Sequence, residues 1–269
     1  MISFPNCKIN LGLQVLAKRR DGFHDISSII YPLKLYDVLE IVPGESFMMN
    51  TSGYKIAGEQ DSNLCIRAYH LLKDEYPDLP PVHIFLHKGI PIGAGMGGGS
   101  ADGTFSLILL NKFFELGLSP ERLKNYSLQL GSDCPFFVVN KPCLVTGRGE
   151  ILQQIELDLS EFSIVVVFPG IHIDTKWAYS SVNGSSKITS LPDIASAHPA
   201  FWKGSLLNDF EEPVLRKFPE LRDIKDTLYR SGAMYASMTG SGSSFFGIFE
   251  KNQIPQLPFK NRFPLFRLP

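Results

Sequence analysis

Between residues 91 and 103 the chain reads Pro91-Ile-Gly-Ala-Gly-Met-Gly-Gly-Gly-Ser100-Ala-Asp-Gly103. Five glycines precede Ser100, and an apolar-rich stretch, Thr104 to Phe114, follows directly. A glycine loop that feeds a helix can turn successive backbone N–H groups toward one point with no side chain in the way. The helix N-terminus adds partial positive charge, so the chemistry that suits this pattern is phosphate binding. Two common phosphate loops fit less well. Gly93, Gly95 and Gly98 satisfy G-x-G-x-x-G, but a dinucleotide turn follows its strand immediately and has an acid about 20 residues on, after the next strand. Here His87-Lys88-Gly89-Ile90-Pro91 intervenes, and the nearest downstream acid, Glu115, ends a helix. The chain contains no Gly-Lys-Ser/Thr, which excludes a P-loop. A flexible linker would be polar and would not open an apolar helix.

Other residue types fit the chemistry of a phosphorylated ligand. Lys8 and Asn10 stand two apart on an expected strand, Lys8 to Leu16, and so share a face opposite Ile9 and Leu11. The pair either lines a site or forms the solvent side of an amphipathic strand. Gly131-Ser-Asp133-Cys-Pro-Phe-Phe137 sets an acid past a helix end and before an expected strand, Phe136 to Val139, whose aromatic residues would anchor it. A carboxylate held in this way can take a proton from a hydroxyl in phosphoryl transfer. A turn aspartate bonding its own backbone is the alternative. Asp21-Gly-Phe-His24 is a turn that presents an aromatic ring and an imidazole, suited to holding a planar ligand or simply to reversing the chain. None of the six histidines pairs with Cys or Asp at metal-ligand spacing. Cys7, Cys65, Cys134 and Cys143 form no C-x-x-C, and reduced thiols in a cytoplasmic protein are the simplest account of them.

Positioning these groups requires a core. With 269 residues, 44% of them hydrophobic, the chain suits one large or two modest domains, and its net charge of −1 argues against a nucleic-acid surface. No apolar run is long enough to span a membrane, and the charges Lys18, Arg19 and Arg20 follow the first apolar stretch, unlike a secretory signal. Alternation and turn residues predict strands over Lys8–Leu16, Tyr36–Val42, Phe47–Thr51 (with a Pro43-Gly44 turn before the last), Val82–Leu86 and Ser163–Phe168. Helices are expected over Asn63–Tyr76, capped by Asp61 or Ser62, over Ala101–Phe114, and from Ser119-Pro120-Glu121 to Leu130-Gly131. A further helix is expected over Thr175–Val182, and one or two between Pro213 and Ser231. Ala236–Thr239 and Phe245–Glu250 read as a hairpin around Gly240-Ser-Gly242. Residues 183–200 read as a surface loop or lid, and the tail past Lys251, with four prolines, as an irregular arm. The pattern is α+β, in two packed lobes divided near residue 150.

Three segments in this order, Lys8-x-Asn10, the loop 91–103 and Thr239-Gly-Ser-Gly-Ser-Ser-Phe245, resemble the GHMP kinases, the family of galactokinase, homoserine kinase and mevalonate kinase. Lys8-Ile-Asn-Leu, Asp21-Gly-Phe-His24, Gly97-Gly-Gly-Ser-Ala-Asp102, Gly131-Ser-Asp133-Cys-Pro-Phe-Phe, Gly147-Arg-Gly-Glu150 and Asn208-Asp-Phe-Glu211 resemble one branch of it. That branch moves the γ-phosphoryl of ATP onto the 2-hydroxyl of 4-diphosphocytidyl-2-C-methyl-D-erythritol, on the non-mevalonate route to isoprenoids. The resemblance implies an ATP-binding and catalytic lobe, 1–150, like ribosomal protein S5 domain 2. It also implies a ferredoxin-like lobe, 151–269, that completes a substrate cleft.

The same resemblance assigns roles. Asp133 orients and deprotonates the acceptor hydroxyl. Lys8 keeps that carboxylate ionised and neutralises the transferring phosphoryl, so Asp133 is a positioned but weak base. Asn10 bonds a phosphate or the hydroxyl. Pro91, Gly93, Ala94, Gly95, Met96, Gly97, Gly98, Gly99 and Ser100 wrap the ATP phosphates, with Ser100 a neighbour of Mg²⁺. His24 reads the polar edge of cytosine, Phe23 and Tyr179 sandwich the base, and Thr175 makes a weaker contact. Two positions depart from the common pattern. Asp102-Gly103-Thr104 follows where alanines are frequent, so that Asp102 must face solvent or a cation. Phe23 replaces a frequent tyrosine. The expected partner is the small-molecule acceptor, with neither nucleic acid nor membrane, in a monomer or weak homodimer. The competing readings are another kinase of the family, for homoserine, a sugar or a mevalonate derivative, and a nucleotide sensor without chemistry. The ring pair speaks against the first, and the presence of both Lys8 and Asp133 against the second.

Overall fold

The computed structural model describes residues 1–56, 60–184, 189–251, 253, 256–259 and 263–268. The chain divides into two compact units, neither a continuous stretch. One comprises residues 1–7, 35–92 and 97–141, the other 8–34, 93–96 and 142–269.

The first unit is a four-stranded sheet with helices. In spatial order the strands are Ile2–Ser3, Val38–Pro43, Val82–Lys88 and Met48–Gly53. Val82–Lys88 lies antiparallel to Val38–Pro43 and parallel to Met48–Gly53. The two strands on either side of the Pro43-Gly44 turn are therefore not neighbours, because Val82–Lys88 lies between them. Strict alternation puts Val82, Ile84 and Leu86 inward, against Leu39 and Ile41, Tyr69 and Leu72 of helix Leu64–Glu75, and Leu107 and Leu110 of helix Gly98–Phe113. Asn63, rather than Asp61 or Ser62, caps the first of these helices by accepting from Cys65 N. Ser119, Pro120 and Glu121 start Pro120–Leu130 as expected. Cys134–Val139 is a helix and not the expected strand: Pro135 at its start presets a helical φ, and a run this short carries no period to separate the two. Phe136 and Phe137 are fully buried anchors.

Under the helix Gly98–Phe113 lies a buried ion cluster. Lys88 Nζ donates to Asp37 Oδ2 and, at 2.5 Å, to Asp102 Oδ2, with all three side chains buried. Asp37 Oδ1 also accepts from Gly89 N at 2.7 Å and Ile90 N at 2.8 Å, fixing the backbone that enters the glycine loop. Asp102 thus faces a cation, Lys88, and not solvent. Burial works against charge on Lys88, but the two carboxylates outweigh it and hold the ammonium above its ordinary value. Burial, and secondarily the Asp37 carboxylate, pushes Asp102 well above the usual carboxylate range despite the pull of Lys88.

The second unit holds two sheets. One runs Asn6–Lys18, His24–Tyr36, Cys143–Thr146, Ile151–Gln154. The other runs Tyr235–Met238, Phe245–Glu250, Phe162–Val167, Leu265–Leu268, all antiparallel. Helices Glu211–Lys217 and Arg222–Arg230 share a core with the second sheet through Phe210, Val214, Ile224, Leu228, Val165, Val167 and Phe245. The hairpin and the Thr175–Ser180 helix lie where periodicity puts them. The strand His24–Tyr36 has no counterpart in the sequence reading, since Ser27, Ser28 and Pro32 break its apolar run. The tail is not wholly irregular: Leu265–Leu268 adds a strand to Phe162–Val167, which supplies the hydrogen-bonding edge a short segment lacks alone. The expected loop 183–200 lies outside the described residues at 185–188, and elsewhere includes the helix Leu191–Ala195 and a 3₁₀ turn, Pro199–Phe201. Parts of the tail arm, at 252, 254–255, 260–262 and 269, also lie outside. Among the described residues no helix is long and apolar enough to cross a membrane.

Removing one member of a buried ion cluster strands the others. Lys88→Met is expected to cost about 3–5 kcal/mol of unfolding free energy, measured by urea titration. Its pH dependence has a definite sign. The folded chain keeps a proton on Asp102 that the unfolded chain has released, so stability falls as pH rises from the ordinary carboxylate range through the raised folded value. Asp102→Asn should flatten that slope, and parallel slopes for wild type and variant would refute it.

Candidate active site

The glycine loop alternates its backbone. Gly93, Gly95 and Gly97 have φ of 66°, 75° and 69°, the left-handed region, and Gly97 caps the helix that opens at Gly98, three residues earlier than its apolar pattern suggests. Alternation of this kind curls consecutive N–H groups into a concave anion nest at a helix N-terminus. Residues 93–96 belong with the second unit; from Gly97 on the chain belongs to the first.

In the second unit the loop is clasped by the turn Thr239–Ser244. Thr239 Oγ1 donates to Gly95 O at 3.2 Å and accepts from Asn10 N at 3.0 Å, and Ser244 N donates to Ala94 O at 3.3 Å. A side chain on Gly95 would put its Cβ 2.2 Å from Thr239 O, so the two backbones touch. Lys8 N donates to Met96 O at 2.9 Å, which ties the loop to the strand Asn6–Lys18 as well. On that strand Lys8 and Asn10 are 4% and 3% exposed, which rules out an ordinary solvent-facing side. Lys8 Nζ donates to Asn10 Oδ1 at 2.7 Å, and Asn10 Nδ2 to Ser28 Oγ at 2.8 Å. Ser28 Oγ in turn donates to Gly12 O at 2.7 Å. A buried lysine and amide held this way are pre-oriented donors, as a charged ligand needs.

The ring-bearing turn lies in the same unit. Asp21 accepts from Phe23 N and pairs with Arg19, so the turn is held by its own side chain. The His24 ring stacks on Tyr179 at 5.5 Å and 17°, and Tyr179 meets Phe210 edge-on at 4.9 Å. Phe23 is half-exposed and carries the Arg148 guanidinium 4.8 Å over its ring. Thr175, in the first turn of its helix behind the Asp174 cap, is exposed with its hydroxyl 3.4 Å from that of Ser241.

In the first unit Pro91 is buried and Asp133 heads the helix Cys134–Val139, partly exposed. Ser100 and Thr104 sit one turn apart on their helix and contact the Cys134 thiol. Burial, and secondarily the Asp133 carboxylate, pushes that thiol up to about 11 against them. Cys134 is therefore no nucleophile at neutral pH. Ser100 and Asp133 thus flank one residue and bring a hydroxyl and a carboxylate near the loop's helix. Among the described residues no group of three His, Cys, Asp or Glu side chains could hold a metal ion.

Sequence reasoning assigned no role to Thr239, Ser28, Asp37, Lys88 or Arg148 within the site. Lys88 stood in plain view as a charge just before the glycines. Ser28 and Asp37 gave no signal, because their importance comes from burial.

The sequence from 63 to 141 matches the model for the GHMP kinases N terminal domain, and 195 to 258 that for the GHMP kinases C terminal. The chain is 49% identical, over 95% of its length and 96% of the relative's, to a 4-diphosphocytidyl-2-C-methyl-D-erythritol kinase of Azobacteroides pseudotrichonymphae. A protein of the same name from Bacteroides fragilis is 43% identical over 98% of this chain and 97% of its own. A crystal structure of 4-(cytidine 5'-diphospho)-2C-methyl-D-erythritol kinase superposes with a TM-score of 0.79 at 32% identity, covering 93% and 91% of the two chains. Mevalonate kinase of Methanococcus jannaschii, at 15% identity and a TM-score of 0.73 over 99% and 97%, shares the fold.

Gly95→Ala should lower kcat/KM for ATP by about 10²-fold, since the loop must leave its clasp. Steady-state kinetics with the melting temperature measured alongside checks this, and kcat/KM within about threefold of wild type would refute the clasp. With the alternating loop, the clasp and both domain models accounted for, the chain belongs to the GHMP kinases, ATP-dependent enzymes that phosphorylate small molecules.

Proposed function

We propose that this kinase transfers the γ-phosphoryl of ATP to the 2-hydroxyl of 4-diphosphocytidyl-2-C-methyl-D-erythritol. The observation that carries the choice of acceptor is the stack of His24 on Tyr179, beside the Phe23 turn. Homoserine, sugars and mevalonate have no base for such rings, whereas cytosine offers both a π-face and a polar edge. The names of the relatives at 49% and 43% identity agree with this choice.

In the proposed reaction the loop Pro91–Ser100 holds the ATP phosphates on backbone N–H groups. Asp133 orients the acceptor hydroxyl and takes its proton, while Lys8 neutralises charge on the phosphoryl in flight. Asn10, whose Oδ1 accepts from Lys8, keeps that ammonium aimed and bonds a phosphate or the hydroxyl. The transition state for phosphoryl transfer is loose, so positioning and charge matter more than the strength of the base. Mg²⁺ would come with the nucleotide, and the Ser100 hydroxyl, a hard oxygen donor in the first turn of the loop's helix, would help hold it; when bound it would screen phosphate charge. His24 reads the polar edge of the cytosine, Phe23 and Tyr179 sandwich it, and Thr175 contacts the acceptor more weakly.

An ADP-release assay with ATP, Mg²⁺ and the cytidylated acceptor, run beside homoserine, galactose and mevalonate, tests the choice of substrate. Turnover with the cytidylated compound alone is expected. Turnover with another acceptor would overturn it, and silence with all four would favour nucleotide sensing. Asp133→Asn should cut kcat by about 10²–10⁴-fold. ATP-analogue affinity should stay unchanged, and full turnover by the variant would remove Asp133 from the chemistry.

A further inference from the structure

The segment Asn208-Asp-Phe-Glu211 has no part in the reaction as described, yet its four consecutive side chains reach three separate parts of the site's framework. Asn208 is 5% exposed. Its Nδ2 donates to Met238 O at 2.8 Å and to Gly240 O at 2.9 Å, the two carbonyls on either side of Thr239. Its Oδ1 accepts from Phe210 N at 3.0 Å, so both amide protons and the carbonyl are in use. Glu211 Oε2 accepts from Met238 N at 2.9 Å and Ser237 Oγ at 3.2 Å, and Lys225 neutralises its other oxygen. Asp209 reaches the strand that carries Lys8 and Asn10: its Oδ2 accepts from Val15 N at 2.8 Å, and its N donates to Leu13 O at 2.9 Å. Phe210, 2% exposed, packs perpendicular to Tyr179, on which the His24 ring stacks.

We infer that this segment is a positioning element with two separable arms. Asn208 holds the Thr239 turn in the shape that clasps Gly95, and so sets the nucleotide loop. Phe210 sets the tilt of Tyr179, and so the surface that receives the base. The physical reason for an asparagine is specific. Two neighbouring carbonyls need two donors fixed at one amide's spacing, while the adjacent N–H of Phe210 needs an acceptor. Only an asparagine or glutamine head supplies both, and glutamine is one methylene too long for a local i to i+2 bond. Aspartate would set a carboxylate against two carbonyl oxygens, and serine keeps at most one of the two donors.

The acceptor arm rests on the reaction proposed above, whereas the nucleotide arm needs only ATP binding. The test compares wild type, Asn208→Ser, Asn208→Asp and Phe210→Leu. Read out are the KM for ATP, the KM for 4-diphosphocytidyl-2-C-methyl-D-erythritol, kcat, calorimetric affinity for a non-hydrolysable ATP analogue, and the melting temperature. Asn208→Ser should weaken ATP KM and analogue affinity by about tenfold, with the acceptor KM within about twofold. Phe210→Leu should do the reverse, raising the acceptor KM about tenfold with analogue affinity unchanged. If Asn208→Asp fails to fold, Asn208→Ser still decides the nucleotide arm.

A purely structural segment would lower the melting temperature and kcat while leaving both KM values and the analogue affinity in place, and that result overturns the inference. Equal shifts of both KM values in both variants overturn the separation into arms. Wild-type turnover with a different acceptor would defeat the proposed reaction alone; the nucleotide arm would then be decided by analogue affinity.

Discussion

The contact on which the site depends is the approach of two backbones, at Gly95 and Thr239, too close for any side chain to lie between. A loop of alternating left-handed glycines has many conformations open to it, and ordering it costs more entropy than ordering any other residue type. The Thr239–Ser244 turn offsets that cost through fixed hydrogen bonds to Ala94 and Gly95. An anion nest curled in advance would spare a phosphate ligand the cost of reorganising the loop.

The rest of the loop is steadied from its own unit. Asp37 takes the two N–H groups of Gly89 and Ile90, Lys88 binds Asp37 and Asp102, and Asp102 lies in the second turn of the helix that the loop opens. Such clusters add little net stability, because desolvation consumes much of the Coulomb gain. What they supply is geometry: three polar groups that cannot be left unpaired permit few backbone arrangements. Buried polar groups with specific partners recur in the second unit, at Lys8, Asn10 and Ser28 and at Asn208 and Glu211. Within each unit such bonds hold the polar residues in place.

Much of this was legible along the chain. Glycine spacing located the loop and the order of its helix, and Ser119-Pro120-Glu121 located a helix start, because both signals are local backbone physics. Alternation found the strand bearing Lys8 and Asn10 and put the two on one face. It could not decide whether that face meets water, because the strand is buried from Asn6 to Leu13 on both sides and its polar residues therefore resemble an exposed stripe. The run at Phe136 is too short to carry a period that separates helix from strand, and Leu265–Leu268 is a strand of four residues that exists only where a partner edge waits. Asp102 stands out along the chain as an acid beside a phosphate loop, but its cation, Lys88, lies 14 residues back, and the third member, Asp37, lies 51 residues from that lysine.

The sequence by itself determined the local chemistry: a glycine nest at a helix start, a lysine and an amide on one strand face, an aspartate held before an aromatic pair, a ring-bearing turn. These follow from residue type, spacing and backbone preference, which act over a few positions. Tertiary structure alone decided that residues 8–34 group with the chain after 142, that Thr239 reaches across 144 positions to clasp Gly95, and that His24 meets Tyr179. Those pairings have no local signature. They arise when buried donors and acceptors must find partners anywhere in the chain, and only the folded arrangement determines which partners are near.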